Sequence, residues 1–337
     1  MLFAVPLQKP VHQPAAELHR WATHHCLSRL WYDGIVVFGL IWNHVAMLPS
    51  RRAVDYTHVR HLTEAILARI SGNGWMAAIA HHLGWQADLQ IDRCTLSLPA
   101  PNPSPPRLRI AFASDFHAGP TTHPETIANA CHALRDLQPD VLLLGGDFVS
   151  LHARYIEPIA EALAHVPAPF GRYAVIGNHD LWADDTPIIQ RLAQAGIHVL
   201  INRHQQLPPP YDHIWICGLD DPTSGRPEAQ AMFEGATGSR IVVMHSPEGL
   251  AHIAAHRFDL AVCGHTHGGQ ICLPNGQPIW MPRGRLNRRY AAGHFQIGPQ
   301  PHQQMIVSRG IGYGGLPLRL YAPADIIACT ITWNDQV

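Results

Sequence analysis

The sequence predicts an α/β fold preceded by a small helical region. Three features carry this reading: short apolar runs that end in polar residues, helical stretches between them, and a proline-rich break, "PAPNPSPP", at 99–106. Proline fixes φ and removes a hydrogen-bond donor, so the break reads as an extended linker. It divides the chain into a helical region at 1–98, the linker at 99–106 and an α/β domain at 107–337.

Ahead of the linker, three segments have apolar residues at helical spacing. Glu17 to Tyr32 carries Leu18, Trp21, Leu27, Leu30 and Trp31. Val54 to Ile70 carries Val59, Leu62, Ile66 and Ile70, and Trp75 to Trp85 carries Met76, Ile79 and Leu83. Two readings of this region stand. It is a helical subdomain packed on the main domain, or a membrane-surface and substrate-access element, given Trp21, Trp31, Trp42, Trp75 and Trp85 beside basic residues. The apolar stretch Ile35 to Leu48 is interrupted by Asn43 and His44 and is short for a membrane span. "MLFAVPLQKPVHQ" has no basic region before its apolar run, so no secretory signal is expected and a cytoplasmic location, peripheral at the inner face of the membrane, follows.

After the linker the runs are "RLRIAFASDFH", "PDVLLLGGDF", "RYAVIGNHD", "HIWICGLDD", "RIVVMHS", "FDLAVCGHTH", "QMIVSRG" and "DIIACTITW". Short apolar runs bounded by Gly, Asp or Ser read as buried strands. Thr122 to Leu137 reads as a helix, with Thr122 and Glu125 at capping-box spacing and Ile127, Ala130, Cys131, Leu134 and Leu137 on one face. Strands alternating with helices give the α/β class.

Composition narrows the function. The chain has 337 residues, 24 basic and 25 acidic side chains and a net charge of -1, without the basic stripe of a nucleic-acid binder. The seven cysteines (Cys26, Cys94, Cys131, Cys217, Cys263, Cys272 and Cys329) lack C-x-x-C spacing and read as small buried hydrophobes in a reducing compartment.

The informative residues stand where the strands end: Asp115 and His117, then Asp147, Asn178 and His179, His245, and His265 and His267. Ligand crevices of open α/β sheets lie outside the carboxyl ends of the strands. Residues i and i+2 of an extended chain share a side, so "DFH" and "HTH" can each present two donors in one direction. Gly145, Gly146, Gly177 and Gly264 permit tight turns and close backbone approach. An Asp/Asn/His shell suits borderline to hard cations, and its size fits two metal ions sharing a bridge. Taken singly, the pieces have ordinary explanations. Asp147 could be an N-cap, Ser246 and Pro247 could open a helix, and "GHTH" could be a surface loop. Their joint order at successive strand ends favours a site.

From about Leu108 onward the chain resembles the calcineurin-like metallophosphoesterases, through "DFH", "GGDF", "GNHD", "MHS" and "GHTH" in that order. "GGQICLP" and "VSRGIGYGGLPLRL" further resemble the bacterial branch described as YkuE-like or YaeI-like phosphodiesterases. The resemblance implies a sandwich of two mixed β-sheets flanked by helices, and two divalent or trivalent metal ions drawn from Mn, Fe, Zn and Mg. It assigns Asp115, His117 and His267 to one ion, Asn178, His245 and His265 to the other, and Asp147 to a bridge. It implies hydrolysis of a phosphodiester or diphosphate by a metal-activated hydroxide, with His179 as general acid. Ser150 departs from the pattern: many members carry a second Asp there that orients the catalytic histidine, which leaves His179 with Asp180, with another group, or with no carboxylate partner.

For substrate, Arg283, Arg285, Arg288 and Arg289 read either as a solvated loop or as a clamp for a second phosphate, with Asp220, Asp221 and Arg309 as weaker cleft residues. The substrate class expected is a phosphoester or nucleotide diphosphate, including lipid-linked ones such as UDP-2,3-diacylglucosamine, with no protein partner implied. A nuclease and a non-catalytic metal-binding module are the alternatives.

Overall fold

A computed structural model describes residues 50–334, apart from 51, 56, 87–88, 100–103 and 299–302. The helix expected at Glu17 to Tyr32 and the apolar stretch Ile35 to Leu48 lie outside the described residues. Helices do form at His58–Ser71 and Trp75–His82. Among the described residues, no helix is long and apolar enough to cross a membrane.

Each apolar run after the linker is a strand. They are β2 (Leu108–Ala113), β3 (Val141–Leu144), β4 (Arg172–Ala174), β7 (Ile214–Gly218), β8 (Ser239–Val243), β9 (Leu260–Cys263), β11 (Gln304–Val307) and β12 (Asp325–Asn334). Four further strands are β1 (Gln90–Pro99), β5 (His198–Val199), β6 (Arg203–Gln206) and β10 (Gly293–Gln296).

The strands form two six-stranded mixed sheets, ordered β1-β12-β2-β3-β4-β5 and β10-β11-β9-β8-β7-β6. Strand β1 corrects the boundary expected at residue 98. It lies inside the segment expected to be helical, yet it pairs in parallel with β12 along its whole length, from Gln90 opposite Asp325 to Pro99 opposite Asn334. The first sheet therefore starts before the proline stretch.

Alternation along the strands builds the layers. Ile110 and Phe112 of β2 face Ile216, Ile241, Val243 and Val262 of the other sheet, forming the core between the sheets. Ala111 and Ala113 point the other way, toward the helices Pro124–Leu137, Ile156–Ala164 and Asp185–Gln194. The outer face of the second sheet packs on the helices Ala229–Phe233 and Leu250–Ile253. The result is two stacked sheets with helices on both outer faces, and period-2 alternation is the cause.

The helix Pro124–Leu137 buries Ala130, Cys131 and Leu134 as its spacing required, but it is capped differently. His123, not Thr122, is the N-cap, its Nδ1 accepting from the Glu125 N–H. The Thr122 hydroxyl instead accepts from the Tyr313 N–H at 3.1 Å, a contact from the far end of the chain. Among the described residues the cysteines are free thiols, buried except for half-buried Cys94.

A candidate dinuclear metal site

Parallel strands β2, β3 and β4 of the first sheet, and β8 and β9 of the second, deliver their carboxyl ends to one place. The residues there are nearly all buried: Asp115, His117, Asp147, Asn178, His245 and His267 are each less than a tenth exposed. A buried group of this polarity demands partners, and here the partners are one another.

The donor atoms fall into two groups. In the first, His117 Nε2 lies 3.0 Å from His267 Nε2, and His267 Nε2 lies 3.6 Å from Asp115 Oδ1. In the second, His245 Nε2 lies 3.0 Å from Asn178 Oδ1 and 3.1 Å from His265 Nδ1. Asp147 Oδ2 joins them, 3.5 Å from His117 Nε2 and 3.3 Å from His245 Nε2. All seven residues named as ligands from the sequence are therefore gathered here, and Asp147 sits between the groups. Asp115–His117–His267, His117–Asp147–His179 and Asp147–His245–His265 each bring their donor atoms close enough to hold a metal ion.

The local conformation differs from the extended one that i, i+2 spacing suggested. Asp115, His117, Asp147, His265 and His267 all have positive φ, between 46° and 70°. Such values are uncommon for residues with a side chain and persist where surrounding contacts over-determine them, often at functional sites. One consequence is that His265 and His267 do not share a direction: they join different groups. Another is that Asp147 is no N-cap, since its strand end leads into irregular chain before the next helical turn at Ala153. The expected close backbone approach is present. A Cβ on Gly177 would lie 2.2 Å from Asp147 Oδ1, and one on Gly264 would lie 2.1 Å from Asp115 Oδ2.

Outer contacts fix the rings. His245 Nδ1 donates to the Gly145 carbonyl at 2.8 Å, which turns its Nε2 toward the site. His117 Nδ1 pairs with Ser150 Oγ at 2.8 Å. Ser150 thus serves His117, not His179. Asp180 does not take over the missing carboxylate's place either. Its two oxygens accept the Val149 and Gly177 N–H groups, at 3.2 and 3.0 Å. His179 lies in the first turn of the short helix Asn178–Trp182. Its N–H donates to Asp147 Oδ1 at 2.8 Å, and its half-buried ring stands edge-on to His117 and against Trp182. Ser246 does cap the turn after His245, accepting from the Glu248 N–H.

The electrostatics are those of a cation site. Burial raises Asp115 to about 6 and lowers His117 to about 4. Burial, with help from His117 and Arg319, holds His267 well below the usual imidazole value. Burial opposes ionisation of Asp147, yet His245, His179 and His117 hold that carboxyl well below its ordinary range. Reciprocally, burial is outweighed at His245 by Asp147, which holds the imidazole well above its ordinary value. His117 and His267 are neutral rings whose Nε2 atoms face each other in a dry site. Because Arg319 can only donate to His267 Nδ1, the neutral His267 ring carries its proton on Nε2, toward His117, and a cation bound there would take that proton's place. The nitrogen and oxygen donor set fits a pair of borderline to hard metal ions.

The weaker substrate candidates divide. Arg309 is committed elsewhere: its guanidinium bonds the Pro323 carbonyl and Asp92 and pairs with Asp325. Asp220 holds Arg52, and Asp221 accepts the Thr223 and Ser224 N–H groups, so this stretch is largely turn chemistry. Arg283, Arg285, Arg288 and Arg289 are exposed, on a loop and the short helix Arg285–Arg289. Glu248, three residues beyond His245, pins that helix by accepting from the Leu286 and Asn287 N–H groups at 2.7 and 3.0 Å. Sequence reasoning missed Arg319, a buried cation reaching His267, because nothing in "GGLPLRL" signals a partner so far away in the chain. A cluster apart from these, His81, His123 and Glu125, has its two imidazoles stacked with planes 10° apart, so their in-plane lone pairs do not converge.

Comparison with known proteins agrees with this geometry. The family model for calcineurin-like phosphoesterases matches residues 108–269. Phosphodiesterase YaeI of Escherichia coli is 30% identical over 260 residues, covering 74% of this chain and 89% of its own. An uncharacterized metallophosphoesterase of Aquifex aeolicus is 28% identical over 236 residues, covering 68% of this chain and 87% of its own. The Bacillus subtilis metallophosphoesterase YkuE is 29% identical over 229 residues, covering 66% and 78%.

Proposed function

Because the chain belongs to the calcineurin-like phosphoesterases and is a phosphoester hydrolase, we propose that it cleaves phosphodiester or diphosphate bonds at a centre of two metal ions. Asp115, His117 and His267 would hold one ion, and Asn178, His245 and His265 the other, with Asp147 shared. The single observation that carries this reading is that Asp147 Oδ2 faces both His117 Nε2 and His245 Nε2. When bound, such a pair supplies Lewis acidity toward phosphoryl oxygens and lowers the pKa of water.

The chain's own groups do the rest. The buried carboxylates and neutral imidazoles form a rigid, water-poor floor, so a phosphoryl group meets preorganised charge. His179 stands at the edge of that floor, its backbone tied to Asp147 and its ring half-exposed, where it can hand a proton to the leaving oxygen. The arginines from Arg283 to Arg289 supply forked donors for a second phosphate beside the first. That would suit a nucleotide diphosphate, and among these a lipid-linked one such as UDP-2,3-diacylglucosamine.

The test is hydrolysis of bis(p-nitrophenyl) phosphate with added Mn²⁺, with and without chelator, by the wild type and by Asp147→Ala. Turnover by the metal-loaded wild type alone is expected. Turnover that survives both chelation and Asp147→Ala would refute the metal-centred reading. UMP release from UDP-2,3-diacylglucosamine decides the finer substrate assignment.

A further inference from the structure

Charge along this chain is segregated in a way its neutral total hides. Between Asp259 and Asp325 the sequence has no aspartate or glutamate, and it holds Arg283, Arg285, Arg288, Arg289, Arg309 and Arg319. The last two are turned inward, on Asp325 and on backbone carbonyls. The first four are exposed.

The same segment exposes large apolar side chains. Trp280 is 68% exposed, Tyr321 65% and Ile279 63%, and Leu273, Leu316 and Leu320 are also exposed. Single exposed apolar residues are ordinary, but a group of six on adjoining loops marks an interaction surface. The loops do adjoin: Ile271 bridges to Leu320, and the Ile279 N–H donates to the Ile271 carbonyl at 3.0 Å. They also hang from the candidate metal site. Gln270, three residues past His267, donates to the Leu316 carbonyl at 2.7 Å and accepts from the Leu320 N–H at 2.9 Å. On the other side Glu248 ties the arginine helix to the His245 turn. Apolar tips and arginines therefore share the rim of one site.

We propose that this rim, centred on Ile279, Trp280, Leu320 and Tyr321 with the arginines from Arg283 to Arg289 beside them, docks on an anionic phospholipid bilayer. Aliphatic tips enter the acyl boundary, Trp and Tyr rings suit the interfacial layer, and arginines meet acidic headgroups. Nucleic acid fits less well, because leucine and isoleucine offer bases no stacking face. A second copy fits less well too. A two-fold interface would bring arginine loop against arginine loop with no acid in the segment to offset them.

The experiment is cosedimentation of the full chain with vesicles of phosphatidylglycerol and phosphatidylcholine, or of phosphatidylcholine alone, at low and high salt. The wild type is expected to prefer the anionic vesicles and to lose that preference as salt rises. The double variant Ile279→Ser/Trp280→Ser is expected to bind about tenfold more weakly, having lost two insertable side chains, while still hydrolysing bis(p-nitrophenyl) phosphate. Equal binding to both vesicle types by the wild type would overturn the proposal, as would undiminished binding by the double variant. A dimer in sedimentation analysis, lost in the double variant while vesicle binding persists, would assign the surface to a second copy instead. Vesicle binding is read without turnover, so its failure leaves the hydrolase reading to stand or fall on its own test.

Discussion

Nη2 of Arg319 lies 3.1 Å from Nδ1 of His267. Arg319 is 3% exposed and, among the described residues, its guanidinium is met chiefly by carbonyls: those of His267, Arg309, Gly310, Gly312 and Ala322. It thereby ties the His267 turn to the chain at Gly310–Gly312, where the Gly312 N–H donates to the Asp115 carbonyl at 2.6 Å. One cation thus braces two proposed ligands of the same ion. Arg319→Met should weaken binding on that side by about 10- to 100-fold, the usual effect of removing such a support. Arg319→Lys should not restore it, because one ammonium cannot reproduce a planar fork. Metal content and chelator competition check this. Unchanged affinity with an earlier thermal melt would make Arg319 merely structural.

Ser150 Oγ sits 2.8 Å from His117 Nδ1. Ser150→Ala should lower metal affinity or turnover about 10- to 100-fold by freeing that ring. Ser150→Asp should keep the ring oriented and make it a stronger donor. Chelator competition on both variants decides whether the hydroxyl matters.

The His179 N–H donates to Asp147 Oδ1, and its ring offers a nitrogen close to His117 and Asp147. With the seven proposed ligands left in place, His179→Ala should retain metal and lower turnover about 10²- to 10⁴-fold, the range for a lost general acid. Loss of metal from the variant would show that the ring is a ligand.

Gly264 has no room for a side chain, since a Cβ there would lie 2.1 Å from Asp115 Oδ2 and from Ser114 Oγ. Gly264→Ala should displace Asp115 and empty that half of the site. The clash is with side-chain atoms just past the ends of β2 and β9 and breaks no strand pairing, so far-ultraviolet circular dichroism should stay near wild type while metal content drops.

Without a cation, the Asp147 carboxylate keeps His245 protonated well above the usual imidazole range. A metal ion must displace that proton before His245 can serve as a ligand. Lower pH favours the protonated, metal-free state, and higher pH favours the loaded one. Affinity should rise with pH up to and through the raised His245 pKa, above the ordinary imidazole range, with net proton release on loading. Isothermal titration in buffers of different ionisation enthalpy measures it. Affinity independent of pH would show that His245 enters already neutral.

The sequence by itself named the residues that gather at the strand ends, and most of the sheet strands. Strand runs such as "VLLL" and "RIVV" are short, apolar and followed at once by their functional residues, so both signals are local. Tertiary structure decided what depends on distant partners. Strand β1 is a strand because β12 lies beside it, although more than two hundred residues separate Gln90 from Asp325. Thr122 gives up its cap to bond Tyr313. Asp180 adjoins His179 in the chain and Ser150 follows Asp147 at the end of the preceding strand, yet one caps Gly177 and the other orients His117. His265 and His267 part company because their backbone turns left-handed. Periodicity reports which face a residue occupies along its own element. Ring orientation, strained φ values and a buried arginine's carbonyl partners are set by contacts made only once the two sheets have packed.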